Sequence, residues 1–248
     1  MKILVCISSV PDTTSKINFT ADKSAFDKNG IQWVINPLDE FGLTKAIKLQ
    51  ESAGATVTVL NVGDVTTEPV IRKSLAIGAN DAIRINIEPK DSFSVAKEIA
   101  NVAQAGGYDL ILCGKESIDY NGGAVPGMVA QLLNQPFVNA CVGLEVNGAE
   151  ATAVREIEGG KETISVKLPA VIAGQKGMVD EKDLIIPNMR GIMSARSKPL
   201  TVTEPINSEV KVDAVSFDSV PARAAVKMVT PDNLDELVRL LHEEAKVI

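Results

Sequence analysis

One histidine, His242, occurs in the whole chain, and that scarcity removes two classes of chemistry at once. A Ser-His-Asp triad needs a histidine as general base, and His-rich metal sites need several. His242 falls in the last turn of a C-terminal helical pattern, where a cation suits the helix dipole and solvent. Cysteine is almost as rare. Cys6, Cys113 and Cys141 lie far apart without a CxxC pair, and two sit in apolar strand patterns. Buried thiols in a reducing compartment are expected, not metal or redox chemistry. Excess basic charge is also missing, since 25 Lys and Arg face 32 Asp and Glu for a formal net charge of −7. Nucleic acid, which needs clustered cations, is therefore excluded as the main partner. No apolar run reaches the roughly 18 residues of a membrane span. Met1 to Val5 runs directly into a strand pattern with no signal-peptide cleavage site, so a soluble, cytoplasmic protein without membrane insertion is expected.

With 248 residues, 45% of them hydrophobic and 23% charged, the chain can bury a substantial core. Lys2 to Ile7 reads as a strand covered on both faces, followed by a loop at Ser8 to Thr13. After an extended segment at Ile31 to Ile35, Asn36-Pro37 opens a helix, with Asp39 and Glu40 in its first turn and Gly54 past its end. Asn36 either caps this helix or faces a ligand. Ala55 to Val62 is a strand, Glu68 to Ile77 a helix closed by Gly78, and Ala82 to Ile87 a strand. Asp91 caps a helix that ends at Gly106-Gly107. Tyr108 to Gly114 gives the next strand.

Four strand–helix alternations in the first 133 residues predict a doubly wound, mostly parallel α/β sheet with helices on both faces. From 137 to 168 the rhythm changes to antiparallel strands with turns at Asn147-Gly148 and Gly159-Gly160, and Pro169 to Ala173 returns to the main sheet. Periodicity is lost over 174–199. That segment, rich in apolar side chains, is either a partner-binding arm or a loop folded on its own domain. A final helix opens at Thr230-Pro231. The expected domains are an α/β domain over 1–200, including the antiparallel segment 137–168 and the loop 174–199, and a C-terminal arm and helix over 201–248.

The stretch most suited to chemistry runs from Tyr108 to Leu133: an apolar strand, a Gly-rich polar loop from Lys115 to Gly127, then a helix. A helix N-terminus offers unpaired N–H groups and partial positive charge, so it can hold a phosphate without lysine or arginine. Gly122, Gly123 and Gly127 allow close approach of a ligand, and Pro126 suits the first turn. The GxGxxG and GxxxxGK[ST] patterns are absent, so a plain turn and a nucleotide site both remain open on local grounds.

In order and spacing, several short motifs together resemble the beta subunit of electron-transfer flavoprotein. They are Val10-Pro11-Asp12, Asn36-Pro37-Leu38-Asp39-Glu40, Arg72 to Asn80, and Gly114-Lys115-Glu116-Ser117-Ile118-Asp119. Arg155 to Glu162, Leu168-Pro169-Ala170, Ile186-Pro187-Asn188 and Pro221-Ala222-Arg223 continue the series.

The resemblance implies an adenine-nucleotide alpha-hydrolase-like fold and an electron carrier with no catalytic residue of its own. An alpha subunit would hold most of the FAD, and this chain would bind AMP as a non-redox ligand. Scarcity of aromatics, 4% of residues, suits a chain that does not enclose a flavin ring alone. Matched motif to motif, the AMP walls are Cys6; Asn36, Pro37, Leu38 and Asp39; Val62; and Asp119, Tyr120, Asn121, Gly122, Gly123, Ala124, Val125, Pro126, Gly127, Met128, Val129 and Ala130.

Ile186 matches the family's aliphatic anchor for electron-donating dehydrogenases, with Pro187 and Asn188 after it, and Arg223 falls in a segment implied to pack on the alpha subunit. Electrons would pass from acyl-CoA or related dehydrogenases, as in fatty acid oxidation, toward a quinone oxidoreductase. Departures fall at Ala124-Val125, where a glutamine is common, at Ser8, where lysine is usual, and at Thr13, where some members place an aromatic. The alternatives are a bifurcating variant with a second FAD in the AMP place, or a nucleotide-binding enzyme or stress sensor of the same superfold.

Overall fold

The computed structural model describes residues 1–223 and 225–248. They form two compact units, Met1–Ile17 with Lys28–Val215, and Asn18–Asp27 with Ser216–Ile248.

In the first unit β1 (Lys2–Cys6) is followed by the short strands β2 (Ser9–Pro11) and β3 (Trp33–Ile35), then α1 (Pro37–Ala53), β4 (Thr56–Val62) and α2 (Glu68–Ile77). Next come β5 (Asp81–Ile85), α3 (Ser92–Gly106), β6 (Leu110–Gly114) and α4 (Val125–Leu133). The chain continues through β7 (Phe137–Asn147), β8 (Glu150–Ile157), β9 (Gly160–Lys167), β10 (Ala170–Gly174), α5 (Met189–Ala195) and β11 (Leu200–Thr203). Among the described residues, nine strands make one sheet in the order β11-β5-β4-β1-β6-β10-β7-β8-β9. From β11 to β7 every neighbouring pair is parallel, and β8 and β9 add an antiparallel wing.

Central strands must face apolar side chains both ways, which is why β1, β6 and β10 are nearly continuous Ile, Leu, Val, Ala and Cys. Ile3, Val5, Val57, Val59 and Leu112 pack with Phe41, Leu43, Val70 and Leu75 in one core. Leu4, Leu60, Ile111 and Val171 pack with Ala96, Ile99 and Val129 in a second. The helices obey local punctuation. Pro37 starts α1 and Gly54, at φ 64°, ends it, while the Asp91 carboxylate accepts the Ser94 amide at the start of α3. No helix of the described residues is long and apolar enough to cross a membrane.

Four elements differ from the expectation. Ser9–Pro11 is not loop but pairs antiparallel with β3, a contact too short to leave a periodic signal. The aperiodic 174–199 segment contains α5, whose seven residues bury only Ala195, so no apolar stripe marks it. Leu200–Thr203 is an added parallel edge strand on β5. The C-terminal helix starts later than Thr230-Pro231: Asn233 caps α6 (Leu234–Arg239), and Leu240–Ala245 winds on with π geometry.

Just past β11 carboxylates at the start and middle of α3 hold the chain. Glu98 accepts the Ile206 amide at 3.0 Å, and Asp91 accepts those of Lys211 and Val212 at 2.7 and 3.1 Å. In the second unit, Phe19 stacks on Phe217 with ring centroids 5.3 Å apart, and Lys23 pairs with Asp218.

Candidate functional site

Strand order dictates where a ligand fits. The chain moves outward from β1 through β4 to β5, then returns to place β6 on the other flank of β1. At such a reversal the connections leave in opposite directions, and a crevice opens beyond the carboxyl ends of the two strands.

Side chains from the start of α1 build its floor. Asp39 is 4% exposed, and its two carboxylate oxygens accept the Ser8 amide beyond β1 and the Gly114 amide at the end of β6, both at 2.7 Å. Asn36, 1% exposed, makes no side-chain cap and reaches instead into the loop after β6. Its Nδ2 donates to the Glu116 carbonyl at 2.9 Å, and its Oδ1 accepts the Ile118 amide at 3.3 Å. Gly114 is required by this crowding: a Cβ there would stand 2.4 Å from Asp39 Oδ1 and 3.0 Å from Asn36 Nδ2. From the β4 side, Asn61 Nδ2 donates to the Ile7 carbonyl at 2.9 Å.

Burial pushes the Asp39 carboxyl up to about 7, against the opposing pull of the Ser8 and Gly114 amides and the Asn36 side chain. Cys6 is raised by its hydrogen bond with Cys113 on the neighbouring strand and by burial, so it is a packed thiol rather than a nucleophile.

The loop between β6 and α4 forms the outer wall. Ser117 and Gly122 exchange backbone hydrogen bonds at 3.0 and 3.2 Å, and Asp119 accepts the Ser117 hydroxyl and, at 2.9 Å, the Tyr120 amide. Asn121 sits at positive φ, and Tyr120 is 72% exposed. The loop then enters α4 at Val125 with Pro126 in the first turn and no side-chain cap. The first amides of α4 are thus left to a ligand or to solvent. Around Gly122 a Cβ would meet nothing within 4 Å, so the loop backbone is open there. A phosphate fits such a start through backbone donors and the helix dipole.

Cys6, Asn36–Asp39, Val62 and the stretch from Asp119 to the α4 start all lie at the carboxyl ends of the sheet or on the connections leaving them. Within this set the Val129 and Ala130 side chains are buried in the second core, leaving only their backbone for a ligand. Ser8, Gly114, Glu116 and Ile118 lie in stretches the sequence marks, the loop after the first strand and Tyr108 to Leu133, but without individual roles, and Asn61 lies outside them. Their roles depend on hydrogen bonds across the sheet that no local pattern announces.

The segment after β10 leaves from the same edge. Leu184 and Ile185 pack against the core, Lys48 pairs with Asp183 at 2.8 Å, and Arg72 donates to the Ala195 and Lys198 carbonyls, each at 2.8 Å. Between these anchors Ile186 is 86% exposed, and Met189 and Met193 are exposed beside it in sequence. The ends of the segment are thus folded on their own unit, while Ile186 between them is exposed. Asn188 caps α5 by accepting the Gly191 amide at 2.9 Å. Arg223 is exposed in the second unit. No cluster of three or more His, Cys, Asp or Glu suited to a metal occurs among the described residues.

Comparison with known proteins places this geometry in context. The profile of the Electron transfer flavoprotein domain matches residues 24–207. Electron transfer flavoprotein subunit beta of Bacillus subtilis (strain 168) is 34% identical, with all of both chains covered. That of Syntrophomonas wolfei is also 34% identical over 91% of this chain and 88% of its own. The human protein of the same name is 28% identical over 94% and 95% of the two chains.

Proposed function

This chain belongs to the electron transfer flavoprotein family, and from that premise we propose that it is the beta subunit of a heterodimeric electron carrier, binding AMP in the β1/β6 crevice beside an alpha subunit that holds most of the FAD. The carrier accepts electrons from acyl-CoA or related dehydrogenases and delivers them toward a quinone oxidoreductase. It is a carrier subunit and not an enzyme with a substrate of its own.

Support for the AMP reading comes from the start of α4, which lacks a side-chain cap and follows a loop tied to Asn36, at the reversal of strand order where ligands bind such sheets. Backbone amides from Gly122 to Gly127 would hold the phosphate, and the turn Asn36 to Asp39 and Val62 would flank the adenosine. Here the ligand supplies no redox chemistry and acts by stabilising the folded chain, worth about 2.7 kcal/mol at a hundredfold excess over its dissociation constant. FAD, when bound, supplies the reversible electron uptake of the complex. This chain's part is to position that partner and to present a docking surface.

Support for docking is the exposed Ile186 flanked by anchored residues and followed by exposed methionines, an adaptable apolar surface of the kind used for several partners. The exposed Val220, Val226 and Met228 around Arg223 support an arm that packs on the alpha subunit.

Purifying the chain with its co-expressed alpha partner, denaturing it and weighing the released nucleotides tests the reading. AMP together with FAD at one each per heterodimer is the expected result. Two FAD and no AMP assigns the bifurcating variant, and a colourless chain that binds neither alpha nor nucleotide overturns the proposal.

A further inference from the structure

Asp39 holds an unusual position for a residue beside a nucleotide crevice. It is the third residue of α1, where the helix dipole favours an anion, yet both of its oxygens are already used. Ser8 donates to Oδ2 and Gly114 donates to Oδ1, each at 2.7 Å, and these amides mark the carboxyl ends of the two adjacent strands between which the crevice opens. Gly114 is backed so closely that any larger residue would collide with Asp39 and Asn36. Asn36, one turn earlier, fixes Glu116 and Ile118 two and four residues farther on. The start of α1 therefore sets the separation of the strand ends and the departure of the loop that leads into α4.

We propose that Asp39 is a positioning residue for the nucleotide: its carboxylate, with both oxygens committed to backbone amides, holds the Ser8 and Gly114 amides at the spacing that shapes the crevice. This rests on the crevice being a nucleotide site, and it gives Asp39 a role distinct from that of a wall. An ionised carboxylate accepts strongly at both oxygens, whereas protonation makes one oxygen a hydroxyl, a donor and a poorer acceptor, and weakens one of the two amide bonds. The clamp is thus at full strength when Asp39 is ionised.

Burial brings that change to about pH 7. The titratable groups that face it are Asp119, on the loop after β6, whose negative charge also favours the protonated form, and the Cys6 thiol at the end of β1. On α1 itself the neighbouring Glu40 is paired with Lys73 of α2 at 2.7 Å. No cationic side chain hydrogen-bonds to Asp39 among the described residues.

The test compares AMP binding by the full-length chain and by Asp39→Asn between pH 6 and pH 8.5. Taking the ratio of the two dissociation constants at each pH cancels the titration of the AMP phosphate itself. The clamp predicts a ratio of about ten above pH 8, one lost charge-assisted hydrogen bond, falling toward one at pH 6 as the native clamp weakens. A ratio that stays constant across the range, or equals one above pH 8, overturns it.

A second measurement needs no variant and no ligand. The 15N–1H shifts of Ser8 and Gly114 in the native chain should titrate together with one midpoint near neutrality, and two amides that stay still or move independently overturn the clamp. Should the native chain take up no AMP, the nucleotide reading falls, while the amide titration still decides the role of Asp39.

Discussion

Asn36 and Glu116, 80 positions apart, are joined by a 2.9 Å hydrogen bond from the Asn36 side-chain amide to the Glu116 carbonyl, and Asn36 is almost wholly buried. One side chain thus connects the first turn of α1 to the loop that opens α4. Asn36→Ala should leave a carbonyl and the Ile118 amide without their partner and cost about 2 kcal/mol in urea unfolding, with weaker AMP retention. Unfolding indistinguishable from the native chain would show that the bridge is dispensable.

Two glycines of the same loop region should respond in opposite ways. A methyl group at Gly114 would lie 2.4 Å from Asp39 Oδ1 and 3.0 Å from Leu38 Cβ, whereas at Gly122 it would meet nothing within 4 Å. Gly114→Ala is expected to lose about 2 to 3 kcal/mol, and Gly122→Ala to stay within about 0.5 kcal/mol of the native chain. Paired denaturation curves decide, and equal effects would contradict the crowding at the end of β6.

Stability should also carry the signature of Asp39. Its folded value of about 7 lies above the usual 3.8, so between these values the folded chain keeps a proton that the unfolded chain releases. The contribution is fully present below about pH 4 and is lost as pH rises through 7, by at most about 4 kcal/mol. Urea midpoints measured from pH 4.5 to 8 should show this decline in the native chain and a flatter profile in Asp39→Asn; parallel profiles would remove Asp39 as its source.

Ile186 is 86% exposed and makes little contribution to its own fold. Ile186→Ala should therefore leave the unfolding midpoint and the flavin content of the complex unchanged. Reduction by an acyl-CoA dehydrogenase should slow roughly tenfold or more, as expected for an aliphatic anchor at the centre of an interface. Unaltered reduction kinetics across several donor dehydrogenases would exclude this residue as the anchor.

Legibility in the sequence tracked the reach of each signal. Glu68–Ile77 and Ser92–Gly106 fell at the predicted positions because their caps and apolar stripes are local. β2, α5 and β11 were invisible because each is short and owes its existence to a distant partner: β3, α2 and β5. At the site, an acidic residue in the first turn of α1 could be read from the sequence. That its two oxygens join Ser8 to Gly114 could not, since this depends on β1 and β6 lying side by side. The same holds for Asn36, whose reading as a cap gave way to a bond across 80 residues.

The pairing of Lys23 with Asp218 spans 195 residues, and the Phe19–Phe217 stack spans slightly more. During synthesis the early finger, residues 18–27, leaves the ribosome roughly 10 to 40 s before its mate is made, at ordinary elongation rates. For that interval Phe19 has no ring to rest on. The second unit is consequently the last part of this protein that a growing chain can complete, and trimming it from the C-terminus would strand a segment that lies near the opposite terminus.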